Sequence, residues 1–209
     1  MASIKKIMAL KDRLREAITT LNSLKYKFII KLLYPQVRWG KNIRVYGKLF
    51  IDIRMNGIVI IEDNVIFRSH TRYNFAGIFK PVSICVLDNA TLTIGSGSGL
   101  SGTSICVYKS VTIGKYCNFG VNTAVWDTDF HPLDYLERRV HNIEKIRSRP
   151  VIIGDDVFIG ANSIIMKGVS IGNRAVIGAG SVVTKSIPED EIWGGNPIAC
   201  IKRKVDQVP

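Results

Sequence analysis

The chain has 209 residues, 46% hydrophobic and 22% charged, with 29 Lys/Arg against 17 Asp/Glu and a formal net charge of +12. This suffices to bury a core in one domain plus an appendage, and no stretch approaches the ~18 uncharged apolar residues of a spanning helix. Residues 1–50 hold 12 of the Lys/Arg and 2 of the Asp/Glu, so +10 of the charge belongs to the N-terminal quarter.

From about Ser3 to Leu33 the pattern predicts a helix. Ile7, Leu14 and Leu21 recur every seven residues, and Ile4, Leu10, Ile18 and Leu24 widen the apolar stripe. Lys5, Lys6, Lys11, Arg13, Arg15 and Lys25 make the other side basic. The expectation is a helix packed on its own domain or on a sister subunit. Contact with an anionic membrane through residues 1–33 is the competing reading. With no aromatic interleaving and no recognised motif, no nucleic-acid partner is expected. "FIIKLLY" is short and broken by Lys31, so no signal peptide is expected. Cys85, Cys106, Cys117 and Cys200 form no CxxC pair and read as interior thiols, without a disulfide framework or a metal site. The expected location is the cytoplasm, at the inner membrane face if the helix binds lipid.

From Gly40 the texture changes to short β-rich units with an aliphatic or aromatic residue every sixth position. Ile61 and Phe67, Ile94 and Leu100, then Val107, Ile113, Phe119 and Val125 follow this rule, with one extra residue between Leu100 and Val107. "GSGSGLSG" contains a GxGxxG from Gly97 to Gly102, but the following "TSICVYKSVTI" is β-rich, which excludes a dinucleotide fingerprint. Residues 126–150, "WDTDFHPLDYLERRVHNIEKIRSRP", lack the period and are highly charged; such a break inside a patterned domain reads as a functional loop.

After the loop the period is unbroken: Ile153, Ile159, Ile165, Ile171, Ile177 and Val183. Gly154, Gly160, Gly172 and Gly178 each follow one of these residues, as chain corners require, either for space or for an unusual φ. A second inward set, Val157, Ser163, Val169, Ala175, Ser181 and Ile187, is mostly small. Six is neither a helical nor a strand period; it is the signature of a parallel β-helix built from hexapeptides. The expected organisation is a helical segment over 1–39, the β-helix over 40–190 and a tail over 191–209.

"IGDDVFIGANSIIMKGVSIGNRAVIGAGSVVTKSIPEDEIWGGNPIACIKR" resembles the C-terminal half of hexapeptide-repeat acyltransferases, above all the galactoside, maltose and polysaccharide-associated sugar O-acetyltransferases. The resemblance covers most of residues 55–203. It implies a left-handed helix, a homotrimer, acetyl-CoA as donor with no metal, an active site between subunits and a sugar or glycan-precursor acceptor. It also implies a catalytic histidine before Pro in the loop, here His131 in "DTDFHPLD", with His141 as the fallback. Imidazole suits the task, because a hydroxyl attacking a thioester must lose its proton near neutral pH. Asp127, Asp129 and Asp134 are candidates to orient it. The resemblance further assigns donor contacts to Ala161, Ala179, Thr184, Lys185 and Lys202, with Trp193 either stacking on adenine or packing internally. Ala199 stands where galactoside enzymes place an arginine, and their acceptor-binding Asn and Asp fall on Leu100–Ser101 and Tyr108. The galactoside acceptor is therefore not carried over. Competing readings are an N-acetyltransferase of an amino or nucleotide sugar, and a non-catalytic membrane-attached β-helix. A zinc hydratase on this fold would need closely spaced histidines that His70, His131 and His141 do not provide.

Overall fold

A computed structural model of the protein describes residues 2–203; residues 204–209 of the tail lie outside the described residues. Helix α1 (Ala2–Leu33) is followed by six stacked coils. These are β1 (Val37–Trp39), β2 (Arg44–Tyr46), β3 (Leu49–Ile53); β4 (Ile58–Ile61), β5 (Ile66–Arg68), β6 (Val82–Val86); β7 (Thr91–Ile94), β8 (Gly99–Ser101), β9 (Ser104–Val107). The upper coils are β10 (Ser110–Ile113), β11 (Asn118–Phe119), β12 (Ala124–Trp126); β13 (Val151–Ile153), β14 (Phe158–Ile159), β15 (Ile164–Ile165); and β16 (Ser170–Ile171), β17 (Val176–Ile177), β18 (Val182–Val183). Each coil gives one strand to each of three parallel sheets, here sheets A, B and C in chain order. The result is a three-sided, left-handed parallel β-helix. β1 stacks on β4, so the first coil begins at residue 37. The tail extends sheet B: β19 (Ile192–Gly194) lies parallel to β17, and β20 (Ala199–Lys202) returns antiparallel to β19.

The sixfold residues stack in register. Ile113, Ile153 and Ile171 form one column, Phe119, Ile159 and Ile177 a second, and Val125, Ile165 and Val183 a third. All are buried, and full burial of one such side chain contributes roughly 1.5–3 kcal/mol. The small inward set is buried too, and its serines serve as rungs between coils. Ser163 Oγ donates to Gly178 O at 3.0 Å and accepts from Ser181 N at 3.3 Å. These bonds satisfy hydroxyls that burial would otherwise penalise.

The corners separate the two explanations for glycine. Left-handed φ falls mainly on other residues, including Asn64, Asn122, Asp156, Asn162 and Arg174. Gly160 instead answers to space: a Cβ there would lie 2.4 Å from Ala179 N of the next coil. The corner after Leu100 is one residue short, since Ile105 stacks on Val125, and the extra length falls along sheet C between Ile105 and Ile113. In β9 both Ile105 and Val107 point inward, five and seven residues after Leu100.

Two expectations change. A second excursion, residues 69–81, leaves between β5 and β6, and His70 caps its 3-10 turn (Thr71–Tyr73), with Nδ1 accepting from Arg72 N at 3.1 Å. The thiols are not all interior: Cys200 is exposed, and Cys85 and Cys106 are half-buried neighbours on the outer face of sheet C. Helix α1 does pack on its own domain, but through a largely polar stripe. Asn22 Nδ2 donates to Val45 O (2.8 Å) and Gly47 O (2.9 Å), Ser23 Oγ accepts from Val45 N (2.9 Å), and Tyr26 OH accepts from Leu49 N (3.0 Å). The helix thereby satisfies the otherwise unpaired edge of the first coil, which an exposed strand would leave open to aggregation.

Candidate active site

The charged loop leaves sheet C after β12 and re-enters sheet A at β13, so it projects from the junction of two sides. Its neck is a short antiparallel ladder: Thr128 bridges Ser148, Asp129 N donates to Arg147 O (3.0 Å), and Arg149 N donates to Asp127 O (2.8 Å). Its outer part holds α2 (Tyr135–Arg139), capped by Asp134, whose Oδ1 accepts from Leu136 N and Glu137 N. His131 sits between neck and helix. It follows Phe130, whose φ of +62° turns the chain, and His131 N donates to Asp129 O at 2.7 Å. The imidazole is exposed and has no side-chain partner among the described residues. His141, also exposed, lies beyond α2 at a left-handed φ of +52°.

The three aspartates occupy different environments. Asp127 is fully buried, and its oxygens accept from Tyr108 N and Lys109 N, each at 2.7 Å. Register places it in the inward column of Ile53, Val86 and Val107, where it caps the turn of the coil below. Burial pushes its pKa up, against the lowering by those backbone N–H groups. Asp134 is committed to its helix cap. Asp129 pairs through Oδ1 with Lys167 Nζ, while its buried Oδ2 has no hydrogen-bond partner among the described residues. It is the candidate with an acceptor position uncommitted.

Phe130 packs edge-on against Trp126 (ring centroids 5.4 Å apart) and Tyr108 (6.1 Å). With Phe50, Asp52, Cys85 and Cys106 it lines a shallow groove of about 510 Å³ over the outer face of sheet C. The two excursions leave from opposite edges of this sheet. From the 69–81 side, Lys80 Nζ donates to Ser104 Oγ (2.9 Å) and Thr123 O (3.2 Å), and burial lowers its pKa. Ser104 and its neighbour Ser83 both line the groove. Burial, with Cys85 beside it, pushes the Cys106 thiol up to about 12. Lys80, Lys167 and the aromatic trio did not stand out in the sequence. The trace of Lys80 was the failed period between Phe67 and Val82, and that of Trp126 and Phe130 the unpatterned loop 126–150.

The residues singled out as donor contacts fall at the C-terminal end. Ala161 and Ala179 stack at successive corners between sheets B and C, and their backbone N–H groups donate to no acceptor among the described residues. Thr184 and Lys185 follow β18, exposed, and Lys202 is exposed on β20. Lys185 Nζ lies 5.1 Å from the Trp193 ring centroid, so Lys185 and Trp193 come together. Trp193 packs against the hydrophobic core and donates Nε1–H to Glu191 at 2.7 Å, which is the internal-packing role.

The family model described as "Hexapeptide repeat of succinyl-transferase" matches residues 150–185. A candidate acetyltransferase of Saccharomyces cerevisiae, YJL218W, is 40% identical over 104 residues, which is 50% of this chain and 48% of that protein. The chain spans about half the length of the curated relatives it matches. Among solved structures, a maltose O-acetyltransferase from Clostridium difficile is 26% identical with a TM-score of 0.56, over 94% of this chain and 89% of that one. The polySia-specific acetyltransferase NeuO is also 26% identical, with a TM-score of 0.54 over 83% of this chain and 88% of that one. The chain thus carries the hexapeptide repeat and resembles hexapeptide-repeat acetyltransferases in sequence and fold.

Proposed function

We propose that this chain is an acetyl-CoA-dependent O-acetyltransferase that modifies a hydroxyl of a sugar or polysaccharide precursor, works as a homotrimer and uses His131 as general base. The observation that carries the reading is the placement of His131: an exposed imidazole in a pinned loop at the edge of a groove lined by Trp126 and Phe130. Aromatic walls suit a sugar ring, whose C–H face is apolar. The two stacked corner N–H groups of Ala161 and Ala179 fit a donor with amide carbonyls along its arm, such as the pantetheine of coenzyme A. Thr184, Lys185 and Lys202 supply polar and cationic groups for its phosphates.

The acceptor oxygen attacks the thioester carbonyl as His131 takes its proton; the C–O bond forms and the C–S bond breaks. The proton then passes from the imidazolium to the departing thiolate, which restores the base. Asp129, through its uncommitted Oδ2, is the residue proposed to orient and stabilise the imidazolium, and Lys167 holds Asp129 in place. Asp127 is assigned a structural role, because its acceptors are taken by the backbone. A trimer brings a second subunit's surface to the groove and lets donor residues of one subunit serve the histidine of another. The test is thiol release from acetyl-CoA with a panel of free sugars, nucleotide sugars and lipid-linked glycans. Turnover with at least one acceptor, lost in His131→Ala, is expected. Absence of turnover with every acceptor and of any acetyl-CoA binding would overturn the reading.

A further inference from the structure

Helix α1 is docked by one face and leaves the opposite face open. At 100° per residue, Thr19, Asn22, Ser23, Tyr26 and Ile30 share the face that meets the first coil. Ile7, Leu10, Leu14, Leu21, Phe28 and Leu32 project the other way, and each is between 60% and 71% exposed. A contiguous apolar strip of this kind marks an interaction surface.

The charges identify what it meets. Lys11 flanks one border of the strip, Lys6, Arg13 and Lys31 the other, and Lys25 rises within it. The helix's two carboxylates, Asp12 and Glu16, point to the protein side, where both line the cleft against sheet B and Glu16 lies 3.9 Å from Arg44. The open face is therefore apolar with cationic borders and no acid. Pairing two copies through it would bring lysines together without counter-charge. An anionic lipid surface instead accepts the apolar side chains below the headgroups and pairs with the snorkelling lysines. No described helix is long and apolar enough to cross a membrane, so the helix would lie in the interface. We infer that the outer face of α1 docks this protein on an anionic bilayer surface, with Leu14, Leu21 and Phe28 inserted and the β-helix held on the aqueous side. The inference is independent of the acetyltransferase reading, since it concerns a surface outside the groove.

The test is vesicle co-sedimentation of the full chain without acyl donor. Vesicles of phosphatidylcholine alone are compared with vesicles containing about one-third phosphatidylglycerol. Partitioning should be at least about tenfold stronger on the anionic vesicles and should fall as salt is raised. Leu14→Glu/Leu21→Glu should weaken it by about tenfold or more; these side chains are exposed, so circular dichroism and molar mass by light scattering should match the parent. Lys11→Glu/Lys25→Glu should remove the lipid-charge preference. Three results would overturn the inference: equal or no binding to both vesicle types, undiminished binding by the leucine variant, or a changed oligomeric mass in that variant, which would make a second copy the occupant.

Discussion

Asp127 separates a structural carboxylate from a catalytic one. It is fully buried and accepts two backbone N–H bonds at 2.7 Å, from Tyr108 and Lys109. Asp127→Ala leaves both donors without a partner. Each stranded buried donor costs about 1–3 kcal/mol, partly offset because a carboxylate no longer has to be desolvated, so a net loss of about 2–4 kcal/mol is expected in urea titrations at neutral pH. Asp127→Asn keeps one acceptor and removes the buried charge but leaves the other backbone donor facing an NH2 group, so it should cost about 1–2 kcal/mol, less than Asp127→Ala. The pH dependence follows from the raised folded pKa. The folded protein holds this proton more tightly than the unfolded chain. The contribution is therefore fully present below the ordinary carboxylate range and is lost as pH rises through the folded pKa. Asp127→Asn should abolish that slope relative to the parent. Turnover by folded Asp127→Asn should stay within a few-fold of the parent, because Asp129 is the residue proposed to orient the base. A fully folded Asp127→Asn with kcat reduced by roughly 10²–10⁴, the range for a lost acid–base function, would refute this assignment and return Asp127 to the imidazole.

His131→Ala should lower kcat by roughly 10²–10⁴-fold while acetyl-CoA affinity, measured by calorimetry, stays nearly unchanged. Lys185→Ala should do the reverse, weakening coenzyme A by about 1–3 kcal/mol with little effect on kcat at saturating donor. Light scattering at micromolar protein should give the mass of a trimer; a monomer would contradict the shared site. Iodoacetamide near pH 8 should alkylate exposed Cys200 first. Cys117 should lag, because burial pushes its thiol up to about 11 and leaves on the order of a thousandth as thiolate at that pH.

The coils were legible because one inward position must be aliphatic at every side of a narrow prism. Ile153 through Val183 announce six successive sides without ambiguity. Helix α1 was equally clear as an element, but its orientation was not. Periodicity identifies an apolar stripe and implies that this stripe is buried, whereas here Asn22, Ser23 and Tyr26 dock the helix by hydrogen bonding to a strand edge. Hydrogen-bond capping carries no period. The 69–81 excursion was missed for a related reason: "SHTRYNFAGIFKP" lacks the charge density that drew attention to 126–150. Within the proposed site, His131 was singled out by the loop motif that the resemblance supplies. Choosing among Asp127, Asp129 and Asp134 required knowing which oxygens the backbone already occupies, and that depends on register between coils distant in sequence.

The repeat explains why the chemistry gathers on one side. Six coils with near-equivalent corners repeat one surface, so side chains that differ from their neighbours gather where the repetition is broken. The two breaks among the described coils leave from opposite edges of sheet C, residues 69–81 at its junction with sheet B and residues 127–150 at its junction with sheet A. Between them the outer face changes from coil to coil, as Asp52, Cys85, Cys106 and Trp126 succeed one another in register. One excursion contributes Lys80, a cation with lowered pKa held by Ser104 and the Thr123 carbonyl, and the other contributes Phe130 and His131. The groove thus lies between Phe130 of one excursion and Ser104, which Lys80 of the other holds, on a floor whose side chains differ at every rung. The uniform columns of Ile and Val beneath keep those walls in register, while the excursions are free to carry the chemistry.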